Sequence, residues 1–210
     1  MPKATNKGSD YTPVPMGVYH AVCYAVIDIG TQPAFGNFPP RRKVMVIWEL
    51  PHERINLMRD GRETSLPRAI NKEYTLSTDK KANLRKDLAA WRGKDFTDEE
   101  AEEFEVGNLI GANCQLSVMH KKSADGSKTY ANVGSIMPLP KGGEKVRPEN
   151  PTLVYDIPNE GTIDFPEGLP EWIVNKIKNS EEYIDRANPH KQAQERKEAN
   201  QEPVDDDVPF

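Results

Sequence analysis

Basic and aromatic side chains alternate along several parts of this 210-residue sequence. Arginine and lysine can neutralise the phosphates of a nucleic-acid backbone, and flat rings can stack on unpaired bases. Arg41, Arg42 and Lys43 stand in a row, and such crowded like charges cost stability unless a partner neutralises them. These residue types favour the binding of a single-stranded nucleic acid.

The candidate contacts lie on predicted strands, on a predicted helix and in one loop. They are Arg41, Arg42, Lys43, Trp48, Lys72, Tyr74, Arg85, Lys86, Arg92, Lys121, Lys122, Lys128 and Tyr130, with Phe35 and Phe38 as a mobile clamp. Trp48 has an alternative place in the core, because it is in phase with Val44 and Val46. Tyr74 and Tyr130 fit a stacking position and a core position equally.

The sequence contains no motif for metal binding, for phosphate binding by a glycine-rich loop, or for nucleophilic catalysis. No Cys or His pair has the spacing of metal ligands, and the sequence contains neither a phosphate-binding GxxxxGK[ST] loop nor a G-x-S-x-G elbow. Acid pairs such as Glu49 with Glu53 could hold Mg²⁺ for a nuclease, but such pairs arise by chance in a chain with 33 acids. We therefore predict a protein that is not an enzyme and that needs no metal and no cofactor.

Charge is distributed unevenly along the chain. The net charge is −5, but residues 1–150 carry 22 basic against 19 acidic residues, a net of +3, and residues 151–210 carry 6 against 14, a net of −8. Asp95–Glu105 holds seven acids and no base, so the rest of 1–150 is +10. A basic body with an acidic end is typical of a protein that binds partners of both signs.

The composition predicts a soluble cytoplasmic protein with one core of modest size. Hydrophobic residues make up 36% of the chain, and no stretch approaches the roughly 20 apolar residues of a membrane span. The first residues, MPKATNKGSDYTP, lack the apolar segment of a secretory signal. Cys23 and Cys114 fit two buried thiols in a reducing compartment, with a disulfide as the alternative.

The pattern of elements predicts a mainly β fold. Strand patterns cover 17–30, 41–50 and 70–77, and helical spacing follows over 80–91. Thr97 and Glu100 form a capping box for a second helix, and 113–122 with 128–139 form a hairpin. Three strands, a helical insert and two strands are the element order of an OB fold, a five-stranded, partly open barrel that binds oligonucleotides on strands 2 and 3.

We predict five segments along the chain. They are a flexible arm (1–15), an OB-fold domain that binds single-stranded DNA (16–140), a linker (141–167), a short helical island (168–184) and a disordered acidic tail (185–210). Proline and glycine mark the linker, and the tail is polar throughout.

The last six residues, DDDVPF, resemble the acidic tip of bacterial single-stranded-DNA-binding proteins, which ends in D-D-D-[IL]-P-F. The resemblance implies that the tip, Asp205, Asp206, Asp207, Val208, Pro209 and Phe210, docks on replication and recombination proteins. Phe210 would fill an apolar pocket on the partner, its carboxylate would meet a base, and the three aspartates would steer the approach.

The body resembles single-stranded-DNA-binding proteins of tailed phages, in the segments GVYHAVCYAVIDIGTQ, RRKVMVIWELP, ANLRKDLAAWRGKDFTDEE and KTYANVGSIMPLPKG. The resemblance implies a role in phage DNA replication, recombination and repair in the host cytoplasm. The segment 80–105 and the long linker depart from the bacterial family, so its tetramer is not carried over, and a monomer and a dimer both stay open. Alternative functions are an adaptor that binds mainly other proteins and an RNA-binding OB-fold protein.

Overall fold

A computed structural model describes residues 12–59 and 61–187. Its strands are β1 (Gly17–Gln32), β2 (Arg41–Arg59), β3 (Arg62–Thr75), β4 (Asn113–Lys122), β5 (Thr129–Met137) and β6 (Leu153–Tyr155). Its helices are α1 (Asn83–Arg92), α2 (Asp98–Glu102), α3 (Glu171–Lys178) and α4 (Glu181–Ala187), with a 3-10 turn at Val106–Leu109.

The strands form one sheet in the order β3-β2-β1-β4-β5, and β6 pairs with β1 outside this path. The five main strands run antiparallel and curl into an open half-barrel. Cα atoms of β3 and β5 approach within 8 Å although no hydrogen-bonded ladder joins these two edges. The protein is therefore mainly β, with a curled five-stranded sheet and a few helices.

Strand β4 shows why these segments become strands. Its buried residues Cys114, Leu116 and Val118 alternate with less buried ones, which is the period of two that a pleated strand imposes. The bounds predicted for this strand are confirmed. A bulge shifts the β4–β5 register between Ser117 and Val118, and such irregularities increase the local twist that curls a sheet.

Strands β2 and β3 are both longer than predicted. The segment 51–69 was expected to be a polar hairpin connection, but β2 continues to Arg59 and β3 begins at Arg62. Polar side chains suit a strand when both of its faces meet solvent, so composition alone does not mark the end of such a strand. The two strands extend as a hydrogen-bonded ribbon.

Two helices lie between β3 and β4. Helix α1 buries Leu84, Leu88 and Trp91, and the ring centroids of Trp91 and Trp48 lie 5.7 Å apart in the core. The capping box of α2 is confirmed: Glu100 N donates to Thr97 Oγ1 at 3.1 Å, and Thr97 N donates to Glu100 Oε2 at 3.1 Å. A bond from Arg92 and the bond from Thr97 lower the pKa of Glu100 to about 2.

The chain divides into two compact units. The first comprises the described residues up to Ile27 and Met45–Val154, and the second comprises Asp28–Val44 and the described residues from Tyr155 onward. The end of β1, the loop after it and the start of β2 therefore belong with the C-terminal helices. Sequence spacing did not indicate this division, because its contacts join residues more than 100 positions apart.

Part of the segment predicted as a linker is bonded to the first unit. Residues 146–150, here called the strap, are held at two points. Val146 N donates to Asn113 Oδ1 at 2.9 Å, while Glu149 N and Asn150 N donate to the Glu49 carboxylate at 2.6 and 2.8 Å. Glu49 is 0% exposed, so the strap supplies the donors that this buried carboxylate needs.

The predicted island forms two helices rather than one, with Ser180 between them. Ser180 is buried and donates to Ile177 O at 2.6 Å, while Tyr183 N donates to its hydroxyl at 3.3 Å. Ile173 and Ile177 bury one face of α3. Most of the predicted tail, including its tip, lies outside the described residues, as do residues 1–11 of the predicted arm. The end of that arm does pack, because Val14 is buried and its carbonyl bonds to His120.

No helix in the described part of the chain is long and apolar enough to cross a membrane.

Candidate nucleic-acid interface

The β4–β5 hairpin presents cations and a ring on the exposed side of the sheet. Its register places Lys121 directly opposite Tyr130, so the two side chains project from the same face. Tyr130 is 46% exposed, and Lys121, Lys122 and Lys128 are all exposed. Among residues 12–59 and 61–187, none of these three lysines has an acidic partner within ion-pair distance.

Local turn chemistry holds the hairpin in shape. Asp125 accepts from the hydroxyls of Ser123 and Ser127 at 2.5 and 2.8 Å and from Ser127 N at 3.1 Å. These bonds lower the pKa of Asp125 to about 2, so its charge is engaged within the turn. Gly126 adopts a φ of +72°, which a β-carbon would disfavour. The three lysines therefore flank a preformed turn.

Apolar side chains continue this exposed face. Val18 on β1 lies opposite Ser117 on β4, and Met119 on β4 lies opposite Asn132 on β5. Val18 and Met119 are both more than half exposed. These exposed side chains form what we call the hairpin face: Val18, Met119, Lys121, Tyr130 and Met137.

Two aromatic residues of the predicted groove lie in the core instead. Trp48 is fully buried, and every residue from Val44 to Leu50 is buried as well, so β2 offers no open face there. Tyr74 is also buried, and its hydroxyl donates to Asp87 Oδ2 at 2.8 Å. Burial and the charge of Asp87 raise the pKa of Tyr74. Neither ring can stack on a base in this arrangement.

The predicted cations on β3 and α1 are mostly engaged within the first unit. Lys72 Nζ lies 2.6 Å from Asp87 Oδ2, in an ion pair that covers part of its charge. Arg85 is buried and donates to Phe96 O at 2.7 Å and to Thr78 O at 3.3 Å, so it links segments. Lys86, by contrast, is exposed.

Arg92 has two partners on its own side of the molecule. Its guanidinium lies 4.1 Å from the ring centroid of Phe96 and donates to both carboxylate oxygens of Glu100 at 3.0 and 3.2 Å. A fork of this kind satisfies a guanidinium well, so less of its charge is left for phosphate. The groove predicted on β2, β3 and α1 is thus largely filled or neutralised.

The second unit carries the remaining predicted contacts. Phe35 and Phe38 are exposed in the loop between β1 and β2, and Arg41 is exposed at the start of β2. Arg42 Nη2 donates to Asp28 Oδ2 at 2.5 Å, and Lys43 is half-buried. The adjacent positive charges of residues 41–43, for which the sequence predicts an external partner, are thus partly neutralised by a buried aspartate.

Sequence reasoning missed exposed residues on the β2–β3 ribbon. Met58 and Arg62 are exposed there, and Leu57 is partly exposed. The stretch contains alternating polar and apolar residues that could have indicated a strand, but its charges favoured a loop. Arg54 belongs to the same ribbon and donates to Glu149 Oε1 at 2.5 Å, so it holds the strap.

Comparison with protein-family models, with curated proteins and with solved structures finds no match to this chain.

Proposed function

We propose that this protein is a non-catalytic binder of single-stranded DNA, largely independent of base sequence. The observation that carries the proposal is the pairing of Lys121 with Tyr130 on the exposed hairpin face, beside two further lysines without acidic partners in the described structure. Cations that follow the phosphates and a ring that stacks on bases are the two requirements for binding a single strand.

We infer that the half-barrel is an OB fold with a helical insert. The strand order β3-β2-β1-β4-β5 supports this, since closing β3 against β5 would complete a five-stranded barrel. The helices α1 and α2 lie between β3 and β4, where that fold accepts an insertion.

In this proposal the protein coats exposed DNA during replication, recombination and repair of a phage genome in the host cytoplasm. The acidic tip, Asp205–Phe210, recruits replication enzymes to the coated strand. Five of the six tip residues match the bacterial pattern, with Val208 in place of a larger aliphatic residue, and this resemblance supports the recruitment; the four body segments support the phage assignment. RNA in place of DNA is distinguished by competition between matched strands.

The test is fluorescence anisotropy of labelled oligo-dT between about 50 and 300 mM salt, with duplex DNA as competitor. We expect tight binding that weakens steeply with salt and that duplex DNA competes for poorly. Replacing Lys121, Lys122 and Lys128 with alanine removes up to three phosphate contacts, so the slope of log K against log salt falls by about 2. Tyr130→Ala weakens binding without changing the slope.

The matched control replaces the exposed Lys81, Lys141 and Lys145 with alanine, which removes the same net charge elsewhere. A slope that falls equally in both triple variants would mean that only net charge matters and that the hairpin face is not the site. No binding to oligo-dT by the unaltered protein at the lowest salt would reject the function.

One observation favours a second function, that of a protein adaptor. The hairpin face includes three exposed apolar side chains, Val18, Met119 and Met137, and contiguous apolar surface is typical of protein interfaces. An adaptor would bind replication proteins equally well with and without DNA. A pull-down of a purified helicase or polymerase subunit by the protein without its tip, in the presence and in the absence of oligo-dT, separates the two functions.

A further inference from the structure

The loop between β1 and β2 exposes two phenylalanines. Phe35 is 84% exposed and Phe38 is 74% exposed, the two highest values among the large apolar side chains of the described residues. Leaving a large apolar ring in water forgoes the stabilisation that its burial would give. The exposure of two such rings within four residues is therefore more simply explained by a ligand that covers them than by chance.

The backbone holds these two rings in a defined arrangement. Phe35 N donates to Phe38 O and Phe38 N donates to Phe35 O, both at 3.1 Å, which closes a two-residue hairpin. Gly36 in the turn has a φ of +59°. Residues paired in this way have Cα atoms about 5.5 Å apart and project their side chains to the same side.

The spacing suits one flat group between the rings. A group in van der Waals contact with a ring on each side needs about 3.5–4.0 Å per contact, or roughly 7 Å between the rings. Side chains that start about 5.5 Å apart at Cα reach this separation by diverging slightly. The rings of Phe35 and Phe38 do not stack on one another, and both are mostly exposed, so each offers ring surface to a ligand.

The base of the loop is fixed within the second unit by helix α4. Thr31 N and Thr31 Oγ1 each donate to the carboxylate of Glu182 at 2.7 Å. Burial raises the pKa of Glu182, but the bonds from Thr31, a backbone bond at Glu182 and the charge of Arg42 together leave the pKa below its ordinary value. Gln32 Nε2 also donates to Lys176 O at 3.1 Å.

A second carboxylate holds the other side of the loop base. Asp28 is 2% exposed, accepts from Gly30 N at 2.9 Å and binds Arg42 at 2.5 Å. The loop therefore leaves β1 and enters β2 at anchored points, and it carries its rings on a preorganised support. Preorganisation lowers the entropy lost on binding.

The positive charges beside the loop indicate which kind of flat group binds between the two rings. Arg41 is exposed just beyond the loop, and the side chain of Arg42 is 40% exposed beside its aspartate. Cations next to open rings match a phosphate attached to a base. A second copy of the chain would supply no such phosphate, so a nucleotide fits the surface better than self-association.

We propose that Phe35 and Phe38 form a clip that takes one unstacked base between their rings, and that Glu182 is a positioning residue that orients the clip through Thr31. The inference rests on the proposed function and adds to it a specific contact and a role for helix α4. Glu182 itself touches no nucleic acid in this proposal.

The test of the clip uses the full chain and oligo-dT that contains a single 2-aminopurine, whose fluorescence reports the stacking of that base. Phe35→Ala/Phe38→Ala should weaken binding roughly 5- to 150-fold, the range for loss of one stacked base. The fluorescence change seen with the unaltered protein should disappear, while the salt slope stays the same because no cation is removed. The control is Met58→Ala, which removes another exposed apolar side chain.

The test of positioning uses Glu182→Ala, with the exposed neighbour Glu181→Ala as control. We expect about 5-fold weaker binding for Glu182→Ala and no further loss when it is added to the double phenylalanine variant, because the two act through one contact. Independent, additive losses would overturn the positioning role. Should Glu182→Ala not fold, Glu182→Gln keeps one acceptor for Thr31 and answers the same question.

Three outcomes decide between the proposals. If the unaltered protein binds no oligonucleotide, the proposed function and the clip both fail. If it binds, but the double phenylalanine variant binds equally well and the 2-aminopurine signal persists, only the clip fails. If that variant changes sedimentation but not affinity, the rings mediate self-association and the clip is overturned.

Discussion

At the scale of single residues, Gly30 occupies a position that tolerates no side chain. Its φ is +71°, and a β-carbon there would lie 2.5 Å from Ser180 Cβ and 2.7 Å from Glu182 Oε2. Ser180 cannot easily retreat, because it is buried and its hydroxyl bonds to both flanking helices. The glycine thus permits β1 to approach the α3–α4 junction closely.

Gly30→Ala should therefore destabilise the protein by roughly 2–5 kcal/mol, the sum of a left-handed backbone cost and of overpacking. Gly126→Ala is the control, since its φ is +72° but no atom lies within 4 Å of the added carbon, and it should lose only about 1–2 kcal/mol. Urea denaturation measures both. Equal losses in the two variants would show that the approach to Ser180 is not tight.

The interface could be inferred only in part from the sequence, because the partners of individual cations are not visible there. The sequence does not distinguish a lysine or an arginine that faces solvent from one that is paired with a carboxylate. Lys72 and Arg92 have intramolecular acidic partners, whereas Lys121 has none within the described ranges. The difference depends on which acids the fold brings near, and neighbours in the sequence do not reveal it.

At the scale of elements, the strap is hydrogen-bonded to β2 and β4 of the sheet. Glu49 is the central contact, because its two oxygens accept the backbone donors of Glu149 and Asn150, and Asn150 Nδ2 adds a third bond. A buried carboxylate that is fully bonded in this way fixes both of the segments it joins. The path of the chain after β5 is thereby set as far as β6.

Glu49→Gln should loosen the strap. The amide group keeps the size of the carboxylate but replaces one acceptor with a donor, so one buried N–H loses its partner at a cost of about 1–3 kcal/mol. Hydrogen exchange at the amides of 149 and 150 should become faster, and urea denaturation should show the lost stability. Glu144→Gln, at an exposed position just before the strap, is the control. Unchanged exchange in Glu49→Gln would contradict this role.

At the scale of the whole molecule, charge is the feature that links the two ends of the chain. Residues 151–210 have a net charge of −8, and residues 1–150 outside Asp95–Glu105 have a net charge of +10. The acidic segment and DNA therefore compete for the same cations in our interpretation. This competition is electrostatic, so it is strongest when few salt ions screen it.

Removal of the last nine residues should raise the affinity for oligo-dT several-fold at about 10 mM salt, where the screening length is about 30 Å, and should matter little at high salt. Anisotropy titrations at both salt concentrations measure the effect. A variant with Asp205, Asp206 and Asp207 replaced by asparagine keeps the chain length and should behave like the truncation. Equal affinity of all three proteins at low salt would exclude the competition.

The sequence by itself determined the features that depend on near neighbours. Strand β4 follows from the alternation of Cys114, Leu116 and Val118, and the start of α2 follows from Thr97 and Glu100 three positions apart. Each of these patterns is local, because the pleat of a strand and the first turn of a helix involve only a few consecutive residues. The strand positions of Lys121, Lys122 and Tyr130 follow from the same kind of pattern, but the exposure of Tyr130 does not.

Only the tertiary structure decided which faces stay open. The strand period of Trp48 fits both a groove and a core, and Trp48 is buried together with every other residue from Val44 to Leu50. The strap bonds Glu49 to residues about 100 positions away, and Glu182 bonds Thr31 across 151 positions. Such pairs leave no periodic signal in one sequence, because the chain between them can take any path that brings them together.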